Sequence, residues 1–479
     1  MPAPRGGRGI LPLLLVAIVT VGWLNLIAGT NSTLLERFLA SLLIAIAFLP
    51  AVRFISKGEN TVPFLPLLGW VYAVHYAFPV FLLESYSFRD WLFTHAAVER
   101  ALWLAVGGFV VLLVTFYGVP GAQLLRFLPK VRLRWDAGKV RRTAPFFVLV
   151  GLCISYYVNT VPPPDVLEQV LLFLSNLSLL GICMLFILQL QGKLGGASGA
   201  LLWGLFLPLQ LMIDLSTGAV YQVFKDVIPL MLIYWSMRRR IPWAAILIGI
   251  IALILLRGNQ QEFRFLSNDP TYLGASIPEK SRLYLQLVFD NTRTRGVTDA
   301  YTSTLERVSH LVTLADVVEQ TPATVPYWGG ETYKTLLTSF IPRVMWPDKP
   351  TKELGQIFGH RYGRLHPEDE VTSDNLPQLV EMYANFGPPG IAIGMIVVGF
   401  LYCCLYWILN HPEAGEGALS ISAIIFTHLL SIESDFSLVF GSVVQYLVLL
   451  YIVLKAFRVK ESPTAHEDRH LESRPVLGL

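Results

Sequence analysis

The chain has 479 residues, 54% of them hydrophobic and only 15% charged, with a mean hydropathy of +0.54; soluble domains carry about 25% charged residues, so a soluble globular fold is excluded. The net charge of +3 comes without a basic stripe interleaved with aromatics, which sets nucleic-acid binding aside. The four cysteines, Cys153, Cys183, Cys403 and Cys404, all lie inside apolar runs, leaving neither a disulfide framework nor metal-ligand spacing.

A membrane-crossing helix needs about 20 mostly apolar residues. The first such run, Ile10 to about Ala28, is longer than the roughly 7–15 apolar residues of a signal peptide and reads as a retained span. Further runs follow at Leu35–Phe54, Val62–Leu83, Val98–Tyr117, Ala144–Val161, Val170–Leu190 and Ala200–Leu215. The remainder are Gly218–Trp235, Ile241–Leu256, Pro389–Leu409, Ala418–Ile432 and Ser437–Phe457, about twelve in all. Short-loop positive charge sets orientation. Arg126, Lys130, Arg132, Arg134, Lys139, Arg141 and Arg142, then Arg238–Arg240, Arg5 with Arg8, and Lys455, Arg458 and Lys460 all fall on one side if both termini are cytoplasmic. The expected organisation is an all-α polytopic membrane protein. A bundle of about nine spans (1–256) precedes a large, partly helical extracytoplasmic loop (257–388). Three C-terminal spans (389–457) and a disordered cytoplasmic tail (458–479) follow.

Ionisable residues at membrane depth are candidate functional groups. Asp214 lies near the outer end of the seventh span, with Lys225 and Asp226 about two turns into the eighth. An Asp214–Lys225 pair would either lock the hairpin or line a cavity. Glu433 and Asp435 fall at the outer turn before the last span, with His428 a turn deeper, where interfacial solvation is the simpler reading. His75, beside Tyr72 and Tyr76, reads as a hydrogen-bonded core histidine.

The outer loop holds the densest chemistry. Arg257 and Arg264 sit where the ninth span leaves the membrane, as a lip that could bind phosphate through guanidinium. Lys280–Asp290 reads as a short amphipathic segment, and Ser303–Gln320 as a helix by its i, i+3/i+4 apolar spacing, which makes Arg307 and His310 neighbours. Three prolines in Pro342–Pro350 stiffen the frame around Arg343, Trp346 and Lys349. Leu376–Phe386 reads as a helix stopping at Gly387, with Gln378, Glu381 and Asn385 on a polar face expected to point into a cavity beneath the loop.

Three of these features, Arg307 on its helix, the FIPRVMWPDKP block and the E-x-Y-x-N-F-G block from Glu381 to Gly387, resemble the Wzy-type polymerases of bacterial O-antigen and related oligosaccharide repeat units. The specific likeness covers about a hundred residues, Ser303–Gly399; elsewhere it is one of topology. The resemblance implies a core like that of the C-type glycosyltransferases, placed in the bacterial inner membrane. It implies a metal-independent, cofactor-free transfer of the growing glycan from undecaprenyl diphosphate to a hydroxyl of the next lipid-linked unit. The partners implied are that lipid-linked oligosaccharide as donor and acceptor, membrane lipid, a flippase and a chain-length regulator. The loop carries no Asp-x-Asp motif and no zincin His pair, in keeping with this. The chain departs from the family at Ser216–Ala219, where many members place an arginine and the nearest cation here is Lys225.

On that reading Arg343, with Lys349, Arg307, Arg257 and Arg264, would hold the departing diphosphate. Glu381 would be the base, with His310 second and His360 or His366 behind; an ordinary imidazole pKa recommends His310. Asn385 would orient substrate hydroxyls, and Tyr327, Trp328, Trp346 and Tyr383 would either stack on sugars or anchor the chain at the membrane interface. The alternatives are an O-antigen ligase, which handles the same leaving group, and a transporter of lipid-linked saccharide, which repeat symmetry and deep membrane charges would favour.

Overall fold

The computed structural model describes residues 10–28, 32–57, 61–82, 94–118, 127–272, 274–294, 296–341, 343–346, 354–370, 372–411 and 413–456. Lys349, Arg126, the terminal basic residues Arg5, Arg8, Arg458 and Lys460, and the 458–479 tail lie outside them. The described residues are helical, with no β-strand among them.

Each apolar run of the sequence is a helix. In chain order they are α1 (Ile10–Ile27), α2 (Leu34–Lys57), α3 (Phe64–Phe81), α4 (His95–Gly118), α5 (Ala137–Thr160), α6 (Asp165–Leu190), α7 (Gly196–Ser216), α8 (Val220–Arg238) and α9 (Trp243–Ser267). After the polar segment come α15 (Gln378–Leu409), α16 (Gly415–Leu429) and α17 (Phe436–Lys455). Among the described residues nine of these, α2–α7, α9, α15 and α17, are long and apolar enough to cross a membrane. This is the architecture of an all-α polytopic membrane protein. Helix α8 does not meet that measure, carrying Lys225 and Asp226 in its second turn, and α16 has 15 residues. The weak boundary between α7 and α8 is a real turn, with Gly218 at φ +66°.

The segment between α9 and α15 is built of helices that pack onto the bundle. It holds α10 (Ile277–Thr294), α11 (Val297–Val308), α12 (His310–Gln320), α13 (Lys334–Ser339) and α14 (Leu354–Arg361). Helix α9 does not stop at Leu256 but runs on to Ser267, because Gln260, Gln261, Glu262 and Arg264 are good helix formers that outweigh Gly258 and Asn259. Phe263 of this extension stacks on Tyr284 of α10 at 4.5 Å, and the Tyr284 hydroxyl donates to the Leu256 carbonyl at 2.8 Å.

The helix expected over Ser303–Gln320 is two helices. Ser309 adopts φ −81°, ψ 83°, ending α11 and starting α12. The break lets α12 turn inward against α3, α4 and α15. Residues His310 to Val318 are buried throughout, with Leu311, Leu314, Ala315 and Val317 in the main core. Full burial of each Leu or Val side chain is worth about 1.5–3 kcal/mol against exposure to water. A periodic pattern names the apolar face of a helix but not the depth to which it is sunk.

The expected stop at Gly387 is a kink. Gly387 has φ 65°, ψ −152°, so Gln378–Phe386 and the longer apolar half of α15 are two helices joined end to end. A Cβ there would lie 2.7 Å from the Tyr327 hydroxyl, so both the backbone angle and the contact require glycine.

Candidate functional site

The extension of α9 places Arg257, Gln260 and Arg264 on one helix face, at the i, i+3, i+7 positions. Helix α11 lies alongside and brings Glu306 and Arg307 to the same place. Gly258 permits this approach, since a Cβ on it would meet Ala300 Cα at 2.6 Å. With Tyr221 from the start of α8, Ser309, His310 and Thr313 from the α11–α12 break, Arg364 and Ser373–Asn375 after α14, and Glu433 before α17, these residues enclose a cavity of about 420 Å³.

Its walls set Arg257, Arg264, Arg307 and Arg364 against Glu306, Asp374 and Glu433. Burial, then the charges of Arg257 and Arg264, hold the Arg307 guanidinium below its ordinary pKa. Like charges gathered this closely oppose one another. The compensation is uneven. Arg364 is paired with Asp316 Oδ2 at 3.2 Å and with Asp374, and is committed to the fold. Arg257 reaches Glu433 only at 3.9 Å, and Arg307 donates to the neutral Gln261 Oε1 at 2.6 Å.

The walls also carry unmatched polar atoms. Arg257 Nε, Gln260 Oε1, Ser309 Oγ and His310 Nε2 are buried with no hydrogen-bond partner among the described residues. Each such atom costs about 1–3 kcal/mol when nothing binds it. Several around one cavity mark a place built for a polar occupant, with Arg257 Nε asking for an acceptor and Gln260 Oε1 for a donor.

The structure brings together four of the residues selected from sequence, Arg257, Arg264, Arg307 and His310. One reason for choosing His310 does not survive. Its imidazole is buried, and burial first, then His75, Arg257 and Arg364, push its pKa well below the ordinary histidine value. At neutral pH it is uncharged and a weak base.

The remaining candidates lie elsewhere. Glu381 is fully buried and does not face the cavity; Oε1 accepts from Thr332 Oγ1 at 2.7 Å and Oε2 from the Phe436 amide at 2.9 Å. Asn385 donates to Thr332 Oγ1 and to the Glu381 carbonyl, both at 2.8 Å, and accepts from the Gly330 amide at 2.9 Å. The polar face of this helix therefore ties α15 to the 328–332 loop and to the start of α17. Tyr383 is buried, with its hydroxyl directed at the Thr321 carbonyl at 3.3 Å. Arg343 follows α13, which packs on α17, and its amide donates to Gln169 Oε1 of α6 at 3.3 Å; neither it nor the exposed Trp346 lines the cavity. Lys225 donates to Asn176 Oδ1 at 3.2 Å instead of closing the expected pair with Asp214, which accepts from Gln210 at 3.2 Å.

Sequence reasoning passed over Gln260, Glu306, Arg364 and Tyr221. Gln260 carried a signal, a polar residue three places after Arg257 on a helix that need not end there. Arg364 and Tyr221 join the site through long-range folding alone. The chemistry available is capture of a multiply charged anion by Arg257, Arg264 and Arg307, with Glu306 beside them.

No curated protein and no solved structure matches the chain. The profile of a family described as a domain of unknown function (DUF8712) matches residues 125–462, a stretch that holds every cavity-lining residue from Ala219 to Glu433. The chain belongs to that family.

Proposed function

We propose that this protein lengthens lipid-linked oligosaccharides on the outer face of the bacterial inner membrane, as a repeat-unit polymerase. On this reading it crosses the membrane about twelve times with both termini inside, and the cavity opens outward. A single observation carries the reading: three arginines, Arg257, Arg264 and Arg307, converge on one polar cavity, with Glu306 and Glu433 in its walls. An undecaprenyl diphosphate is a leaving group of matching charge, and the resemblance of Ser303–Gly399 supplies the reaction class.

In the transfer, a hydroxyl oxygen of the acceptor unit attacks the anomeric carbon of the growing glycan. The bond from that carbon to the diphosphate oxygen breaks, and the electron pair leaves with the diphosphate. The guanidinium groups stabilise that developing charge, each strong donor contributing about 3–4 kcal/mol in a preorganised site. We assign the acceptor's proton to Glu306, the carboxylate at the cavity wall next to Arg307. Glu381, with both oxygens engaged inside the protein, becomes a structural residue on this reading.

The test is purified protein with a synthetic undecaprenyl-diphosphate-linked repeat unit. The expected result is a ladder of lengthened glycan and free lipid diphosphate, lost in Arg307→Ala; unchanged substrate with well-folded protein would refute the assignment. In a strain lacking the chain, accumulated single repeat units support the polymerase, whereas accumulated lipid-linked long polymer points to a ligase. One feature favours a transporter as second reading: Asp226 is 1% exposed in α8, a carboxyl at membrane depth beside Asp214 and Lys225. Movement of labelled substrate across proteoliposomes without lengthening would select it.

A further inference from the structure

We propose that His75, His310 and Glu433 form a binding site for one divalent transition-metal ion of the zinc type at the wall of the arginine cavity. One ligand atom from each of the three lies within 4.8 Å of the other two. The residues come from α3, the first turn of α12 and the turn before α17, so no motif in the sequence announces them. Two imidazoles and a carboxylate form a nitrogen-rich set. Such sets suit zinc and its first-row neighbours, whereas magnesium and calcium take oxygen ligands.

An independent observation points to a ligand. His75 Nδ1 and His310 Nε2 are both buried without a hydrogen-bond partner among the described residues, although the rings pack edge to face with centroids 4.4 Å apart. His310 itself is 5% exposed. A core histidine ordinarily spends its ring nitrogens on protein hydrogen bonds; here the expected hydrogen-bonded reading of His75 fails. The same stretch of α3, Ala73–Ala77, winds as a π-turn, a feature found often at functional sites.

Zinc–ligand distances of about 2.0–2.2 Å place tetrahedral ligand atoms roughly 3.4 Å apart, so ligand atoms that lie within 4.8 Å of one another must close by up to about 1.4 Å through side-chain rotation. Arg257 is the group opposed to this, both by its charge and through its 3.9 Å contact with Glu433 Oε2. That contact is long and leaves the other carboxylate oxygen to the ion. Because His310 and Glu433 line the cavity, three protein ligands would leave a coordination position facing it, the arrangement of catalytic rather than structural zinc. This site departs from the metal-free chemistry that the family resemblance implies, and it stands on geometry and ligand chemistry whether or not the protein transfers sugars.

The test uses the full-length chain purified without a polyhistidine tag, stripped with chelator and dialysed against Zn²⁺ or Co²⁺. The expected result is about one ion retained per chain, with the visible absorption of nitrogen-ligated Co²⁺. His75→Gln and Glu433→Gln should each weaken retention by at least about 10-fold. Glu433 is in a partly exposed turn, so its variant decides the matter if changes at the buried histidines prevent folding. Failure to retain either ion, or equal retention by wild type and a monodisperse Glu433→Gln protein, overturns the site.

Discussion

Two of the buried polar clusters among the described residues are put together in opposite ways. Around Glu381 the protein supplies a partner for each carboxylate oxygen and for both ends of the Asn385 amide, and Thr332 links the two. Around Arg257, Arg307 and His310 the protein gathers like charges and leaves Gln260 Oε1, Ser309 Oγ and His310 Nε2 unmatched. The first cluster is complete and holds three chain segments in place. The second costs stability unless something polar enters it. A buried carboxylate is therefore a poor guide to chemistry until its partners are known.

The comparison breaks most visibly if Arg307→Ala leaves activity intact. Loss of one preorganised donor should slow glycan lengthening by about 10²–10³-fold, with little fall in the thermal midpoint, because the change also removes repulsion from Arg257 and Arg264. Glu381→Gln should do the reverse. It sets an amide donor against a group that already donates and leaves a buried hydrogen-bonding atom unmatched, at about 1–3 kcal/mol, so the midpoint in detergent drops while turnover per folded molecule stays. A stable variant without turnover would restore Glu381 as the base. Gly258→Val drives a side chain into Ala300, an overpacking cost of about 1–3 kcal/mol. It should push α11 off α9 and raise KM for the lipid-linked donor through Arg307; an unchanged KM would show that the helix spacing does not set the site. The smallest effect belongs to Tyr383→Phe, which removes one hydrogen bond of about 0.5–1.5 kcal/mol. Any loss of turnover beyond that would place Tyr383 in contact with substrate.

Much of the frame was legible in the sequence because apolar run length is a local property, and each run is a helix. Arg257 and Arg264 were readable for the same reason, since they follow such a run directly, and Arg307 stood out on a periodic segment. What was not legible depends on distant partners. The alternation of Gln378, Glu381 and Asn385 with apolar residues gives a polar face, but not that the Phe436 amide and Thr332 fill it. The spacing of Arg307 and His310 makes them neighbours on an unbroken helix, and only the backbone at Ser309 separates a half-buried cation from a sunken neutral imidazole. His75 was read as a hydrogen-bonded core histidine; it is half-buried, and the ring it meets belongs to a helix more than two hundred residues away.

The π-turn of α3 has a consequence for how that helix tolerates change. Its buried residues recur around adjacent pairs four positions apart, Phe64 and Leu65, Leu68 and Gly69, Tyr72 and Ala73, Tyr76 and Ala77, then Val80 and Phe81, with Pro66 and Pro79 buried beside the first and last. A helix of 3.6 residues per turn cannot hold a four-residue repeat on one side, because the pair slips by about 40° at each step. Underwinding at Ala73–Ala77 absorbs that slip, at the place where His75 meets His310. Deleting one residue there would restore an ordinary helix and leave Val80 and Phe81 near their present orientation, because the π-turn is the room made for one extra residue. The same deletion on either side of the turn would rotate all that follows by about 100°. The π-turn is therefore the place in α3 that a one-residue deletion disturbs least.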